Sequence, residues 1–140
     1  MLLMWTENLS VGVKDLDDDH KQLIKMINQL HVAIQAVGKE GELDKEELEF
    51  VLHRLQNYTI YHCDKEEVLF ETTGYPDTDR HKQQHRQLVT RIADLTGRFH
   101  NSTDPKHGAE IMQFIYDWLT QHIYQTDKKY STHLHLHEIF

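Results

Sequence analysis

The segment Leu48-Glu49-Phe50-Val51-Leu52-His53-Arg54-Leu55-Gln56-Asn57-Tyr58-Thr59-Ile60-Tyr61-His62-Cys63-Asp64-Lys65-Glu66 carries an apolar stripe that turns polar without leaving its face. Leu48, Val51, Leu52, Leu55 and Tyr58 recur at the 3.6-residue spacing of an amphipathic helix. His62 and Glu66 continue that face, one turn apart on the same side. Imidazoles and carboxylates are costly to bury bare, so on an inner face they must be paired, hydrogen-bonded or metal-bound. The segment predicts a long helix with ligating residues in its C-terminal half, reaching about Phe70.

Three other segments repeat the pattern. His81 and His85, again four apart, precede Leu88, Ile92 and Leu95 in a third helix that starts near Thr78. His122 follows Ile111, Ile115 and Trp118 in a fourth, with Asp127 five residues further on. His20 stands in a first helix whose stripe runs Leu23, Ile24, Ile27, Leu30 and Ile34. The ligating residues fall in the C-terminal halves of the second and fourth helices and the N-terminal halves of the first and third. Those levels coincide when the helices alternate in direction. The expected fold is therefore all-α, an antiparallel up-down-up-down four-helix bundle with an extended N-terminal arm. One domain is expected over residues 1–140, with an arm over 1–14 and a polar, irregular tail over 131–140.

Local signals place the helix ends. Asp17–Asp19 suit the start of the first helix as a cap and solvated acidic face, and Gly38 and Gly41 its end. Asp44 and Glu47 have capping-box-like spacing before the second helix. Gly74-Tyr75-Pro76-Asp77 is a loop, and Asp104-Pro105 reads as an N-cap followed by a first-position proline. The fourth helix is expected to run to about Tyr130. One spacing is irregular: five residues at ~100° each put His122 and Asp127 ~140° apart on a regular helix. Either a π-bulge lies between them or Asp127 reaches around.

Composition narrows the function classes. The chain has 140 residues, 39% hydrophobic and 27% charged, with a formal charge of -8. That balance argues against nucleic acid or an anionic membrane surface as partner. No stretch approaches the ~20 apolar residues of a membrane span, and the apolar opening, ended by Thr6, is too short for a signal peptide. A cytoplasmic monomer is expected, with no protein partner indicated. The single cysteine, Cys63, excludes an internal disulfide and a thiolate-type zinc or iron–sulfur site.

Seven candidate ligands, His20, His62, Glu66, His81, His85, His122 and Asp127, exceed the needs of one tetrahedral zinc. Two octahedral metals sharing the carboxylates would use them well, and mixed imidazole and carboxylate donors suit iron or manganese. An oxo or hydroxo bridge would leave one coordination position open for a small ligand.

These residues lie within a wider set of motifs: Trp5…Val11-Gly12-Val13, Leu16-Asp17-Asp18-Asp19-His20-x-x-Leu23, His62-x-x-x-Glu66-Glu67, Tyr75-Pro76…His81-x-x-x-His85, and Trp118-Leu119-x-x-His122-Ile123-x-x-x-Asp127. Together they closely resemble the single-domain bacterial hemerythrins over nearly the whole chain. The resemblance implies two non-haem irons, one held by His81, His85 and His122 and the other by His20 and His62, with Glu66 and Asp127 bridging. It further implies reversible dioxygen binding at the five-coordinate iron of His20 and His62, for storage, delivery or scavenging. Two positions depart from the family pattern: Asp19 stands where glutamine is common, and Cys63 where phenylalanine is usual.

Leu23, Cys63, Trp118, Leu119 and Ile123 flank the ligands and are candidates to line the oxygen pocket, although core packing explains the same stripe. His31, His53, His100 and His107 read as surface or hydrogen-bonded residues. The alternating His133, His135 and His137 read as a solvated tail, with adventitious metal binding as the other reading. An oxygen or redox sensor acting through a partner is the second functional class. A diiron oxidase, peroxidase or iron store is the third. Ferritin-like sites use Glu-x-x-His pairs, which this chain lacks, and no spare acid or base is evident, so an enzyme is not expected.

Overall fold

The structure is a computed structural model that describes residues 3–40, 45–101 and 106–140. Four long helices account for most of it: α1 (Lys14–Glu40), α2 (Lys45–Thr73), α3 (Thr78–His100) and α4 (Lys106–Gln121). Contacts join α1 to α2, α2 to α3, α3 to α4 and α4 back to α1, closing the ring of an antiparallel four-helix bundle.

The first helix starts earlier than its acidic run suggests. Lys14 already belongs to it, and Asp17 donates its N–H to the Val13 carbonyl. The Asp17 carboxylate accepts from the Val11 N–H and the Ser10 hydroxyl, tying the arm to the helix. At the other end α1 continues through Gly38, because one glycine weakens a helix by only ~1 kcal/mol. Gly41, Asp44, Asp104 and Pro105 lie outside the described residues. α2 runs past Phe70 to Thr73.

The arm is extended apart from a 3-10 turn at Glu7–Leu9. The Asn28 side-chain amide holds it against α1, accepting from the Leu3 N–H and donating to the Leu3 carbonyl. Val11 and Val13 are buried.

The tail is not irregular. After α4 come a π-turn (His122–Thr126), a 3-10 turn (Asp127–Tyr130) and a short helix, α5 (Ser131–Leu136). Leu134 and Tyr130 are fully buried there, i,i+4 neighbours on one face. The tail histidines fasten this segment: His133 pairs with the Thr73 hydroxyl, and His135 Nε2 donates to the Gly12 carbonyl at 2.7 Å. Gly12 has φ +74°, and a Cβ there would sit 2.9 Å from the His135 ring. The close approach of arm and tail thus requires glycine.

Two apolar clusters result. The larger contains Leu23, Ile27, Leu55, Leu88, Ile92, Ile115 and Leu119. The smaller joins Val11, Val13, Leu16, Phe70, Tyr75, Tyr130 and Leu134 at one end of the bundle. On α1 and α2 the candidate ligands lie between members of these clusters: Leu16, then His20, then Leu23 on α1, and Leu55, then His62 and Glu66, then Phe70 on α2. Tyr75 and Leu88 flank His81 and His85 in the same way, and Leu119 and Tyr130 flank His122 and Asp127. A polar layer is sandwiched between two apolar plugs.

Candidate metal centre

All seven candidate ligands are buried in this layer, and Glu66 is fully shielded from solvent. Their donor atoms form two overlapping groups: Glu66 with His81, His85 and His122, and Glu66 with Asp127, His20 and His62. Within each group the donor atoms lie within 4.8 Å of one another.

The carboxylates face both groups. Asp127 turns Oδ1 to His122 Nε2 at 2.8 Å and His81 Nε2 at 3.0 Å, and Oδ2 to His20 Nε2 at 3.2 Å. Glu66 Oε1 lies 3.2 Å from His85 Nε2 and 3.3 Å from His62 Nε2. Neighbouring donors of an octahedral ion bound at about 2.1 Å are about 3.0 Å apart. The spacings match an octahedral edge.

The irregular fourth segment supplies the last candidate ligand. Between His122 and Asp127 the backbone makes a π-turn, and the Asp127 N–H bonds the His122 carbonyl five residues back. The wider turn absorbs the extra residue, so His122 and Asp127 reach the same face.

Several of the inward atoms have no hydrogen-bond partner: Nε2 of His20, His62, His81 and His122, both Glu66 oxygens and Asp127 Oδ1. Buried polar atoms are rarely left so. A hard-to-borderline cation would satisfy them all at once, and the nitrogen and oxygen donors fit such an ion.

Charges within the layer sustain one another. Burial alone would raise Glu66, as would Asp127, but the His62 and His85 imidazoles hold its carboxyl well below the usual range. Asp127 is likewise held down against its burial by His122, His20 and His81. Burial would lower His62, but Glu66 and Asp19 outweigh it and push the imidazole up to about 10. Burial, reinforced by Glu66, raises the Cys63 thiol well above its ordinary value, so it stays a thiol.

The acidic run read as solvated contains one buried member. Asp19, only 6% exposed, accepts from His62 Nδ1 at 2.9 Å and from the Tyr58 hydroxyl at 3.1 Å. Lys65 Nζ adds an ion pair at 3.1 Å. Leu16, Asp19, Leu23, Met26 and Leu30 are spaced three or four apart, so the stripe itself marked Asp19 as inward. Tyr130 was likewise missed as a site neighbour. Its buried hydroxyl approaches Glu66 without a hydrogen bond, and its ring centroid is 5.8 Å from that of His81. On the other side Glu67 accepts from His85 Nδ1 at 3.2 Å.

A small cavity opens beside the layer. Leu23, Cys63, Trp118 and Leu119 line it with Leu88 and Ile92, as do candidate ligands from both groups. Ile123 is buried in the larger apolar cluster instead and is not part of the lining. The Trp118 ring stacks on His122 with centroids 4.1 Å apart. Tail residues His133, His135 and His137 belong to neither donor group.

The profile of the Hemerythrin HHE cation binding domain matches residues 11–134. The chain belongs to the hemerythrin family. Bacteriohemerythrin of Pseudomonas aeruginosa is 34% identical over 128 residues, 91% of this chain and 78% of the relative. Bacteriohemerythrin of Methylococcus capsulatus is 34% identical over 93% of this chain and 95% of its own length. Myohemerythrin-1 of Phascolopsis gouldii is 27% identical over 91% of both chains. A crystal structure of wild-type hemerythrin superposes with a TM-score of 0.81 at 31% identity, covering 96% of this chain and 98% of that one. Among the described residues no helix is long and apolar enough to cross a membrane.

Proposed function

We propose that this hemerythrin binds dioxygen reversibly at two non-haem irons. His81, His85 and His122 would hold one, His20 and His62 the other, and Glu66 and Asp127 would be shared. The observation that carries this reading is the pair of overlapping donor groups, three imidazoles on one side and two on the other, with both carboxylates turned to both. The His20/His62 group has one imidazole fewer, which would leave room for a small ligand, and residues of both groups line the apolar cavity.

A bound diferrous pair supplies the two electrons on which dioxygen binding draws. The chain's residues arrange access. Leu23, Cys63, Trp118 and Leu119 keep the approach apolar, which suits a neutral diatomic and disfavours water. Thr59 lines the same cavity, but its hydroxyl is committed to the Leu55 carbonyl at 2.7 Å. Beyond the ligands the lining therefore offers no free acid or base, and a binding protein is favoured over an enzyme.

Iron-loaded, reduced protein should develop visible absorption in air that disappears under vacuum and returns on readmission, with two irons per chain. One zinc per chain, or a spectrum indifferent to oxygen, would overturn the reading.

A further inference from the structure

Asp19 is a buried carboxylate of the site that does not face the shared centre. Its carboxylate lies behind His62, bonded to Nδ1 at 2.9 Å, while Nε2 of the same ring points inward at 3.3 Å from Glu66. Three donors from α2 converge on it: His62, one turn earlier Tyr58, and, on the outer side, Lys65. The Lys65 ammonium also approaches Asp15 at 3.7 Å and lies over the Tyr61 ring, so it is held from several sides. The carboxylate is thus fixed before any ion binds.

We propose that Asp19 is a positioning residue for His62, keeping the ring proton on Nδ1 and Nε2 turned to the centre, with Tyr58 and Lys65 holding the carboxylate in place. The inference rests on the reading of His62 as a metal ligand. An anionic acceptor on Nδ1 locks tautomer and ring orientation and makes Nε2 a stronger donor. Glu67 stands in the same relation to His85 on the other side, though at 3.2 Å and 23% exposed. His20 Nδ1 has no such partner. The position of His20 and His62 therefore depends on Asp19 for its one buttressed imidazole, and the neighbouring position depends on Glu67.

Cobalt(II) titration of the metal-free protein tests this, followed by the shifted imidazole N–H resonances, which distinguish a position with two histidines from one with three. Asp19→Asn should weaken cobalt binding at the His20/His62 position by about 10–100-fold and speed solvent exchange of the His62 N–H. The other position should be unaffected, and Glu67→Gln should give the opposite pattern. Helix content of the metal-free variants should match the parent, which a merely structural role would not combine with a one-sided loss. Tyr58→Phe, a milder change that leaves His62 bonded, should give a severalfold loss at the same position even if Asp19→Asn does not fold. Equal weakening at both positions, or none, in parent-like folded variants overturns the role of Asp19 while leaving the metal reading intact. Failure of the parent to take up cobalt overturns the metal reading itself, and this inference with it.

Discussion

Cys63 occupies the cavity wall beside His62, a small side chain where the family resemblance leads one to expect phenylalanine. It is 4% exposed and adjoins the cavity, so a larger ring has partial room. Cys63→Phe should cost about 1 kcal/mol of stability, the low end of overpacking. By closing the wall to water it should slow loss of the diferrous state in air, followed as the rise of diferric absorption. An unchanged or faster rate would sink this account. Asp19 teaches a complementary lesson. Its neighbours in sequence are acidic and exposed, and composition alone made it one of them. Periodicity, three residues after Leu16 and four before Leu23, gave the better indication.

At the level of the element, the π-turn of His122–Thr126 is what joins Asp127 to the site. Deleting the exposed Tyr124 should convert it to a regular turn and rotate Asp127 by about 100° away from the centre. Metal retention should be lost while far-UV helix content is kept. Retained metal would show that the turn is incidental. The tail carries a different load. Leu134 is fully buried against the arm and the ends of α1 and α2. Leu134→Ala should cost about 2–5 kcal/mol in thermal or denaturant unfolding. A loss under 1 kcal/mol would mean that α5 is a loose appendage, as its polar composition suggests.

For the whole molecule, the layer couples stability to pH. The His62 pKa is raised to about 10 against about 6.5 in an unfolded chain. In the metal-free protein its contribution is fully present below about pH 6.5 and is lost as pH rises through about 10. Asp19, Glu66 and Asp127 have the opposite sign: each is lowered, so their contributions hold above the usual carboxylate range and vanish on acidification. Metal-free Tm should therefore fall from pH 6.5 toward 10. Metal loading requires neutral Nε2 atoms, so it should release protons and flatten that alkaline decline. Melts from pH 5 to 10 with and without metal test this; a metal-free Tm constant over that range would contradict it.

Four helices, their alternating directions and the common level of the seven polar residues were legible in the sequence, because helix periodicity and cluster position are local properties. The i,i+4 pairs His62/Glu66 and His81/His85 needed no more than that. The His122–Asp127 spacing even announced its distortion. Other features depended on contacts distant in the chain. The tail looks polar, yet it folds because Leu134 and Tyr130 find Val11, Leu16 and Phe70, sixty or more residues away in the chain. Asp19 is buried because α2 brings Tyr58, His62 and Lys65 over it. Pattern along the chain established which residues face inward; packing between helices established which of them meet, and therefore which carboxylate orients which imidazole.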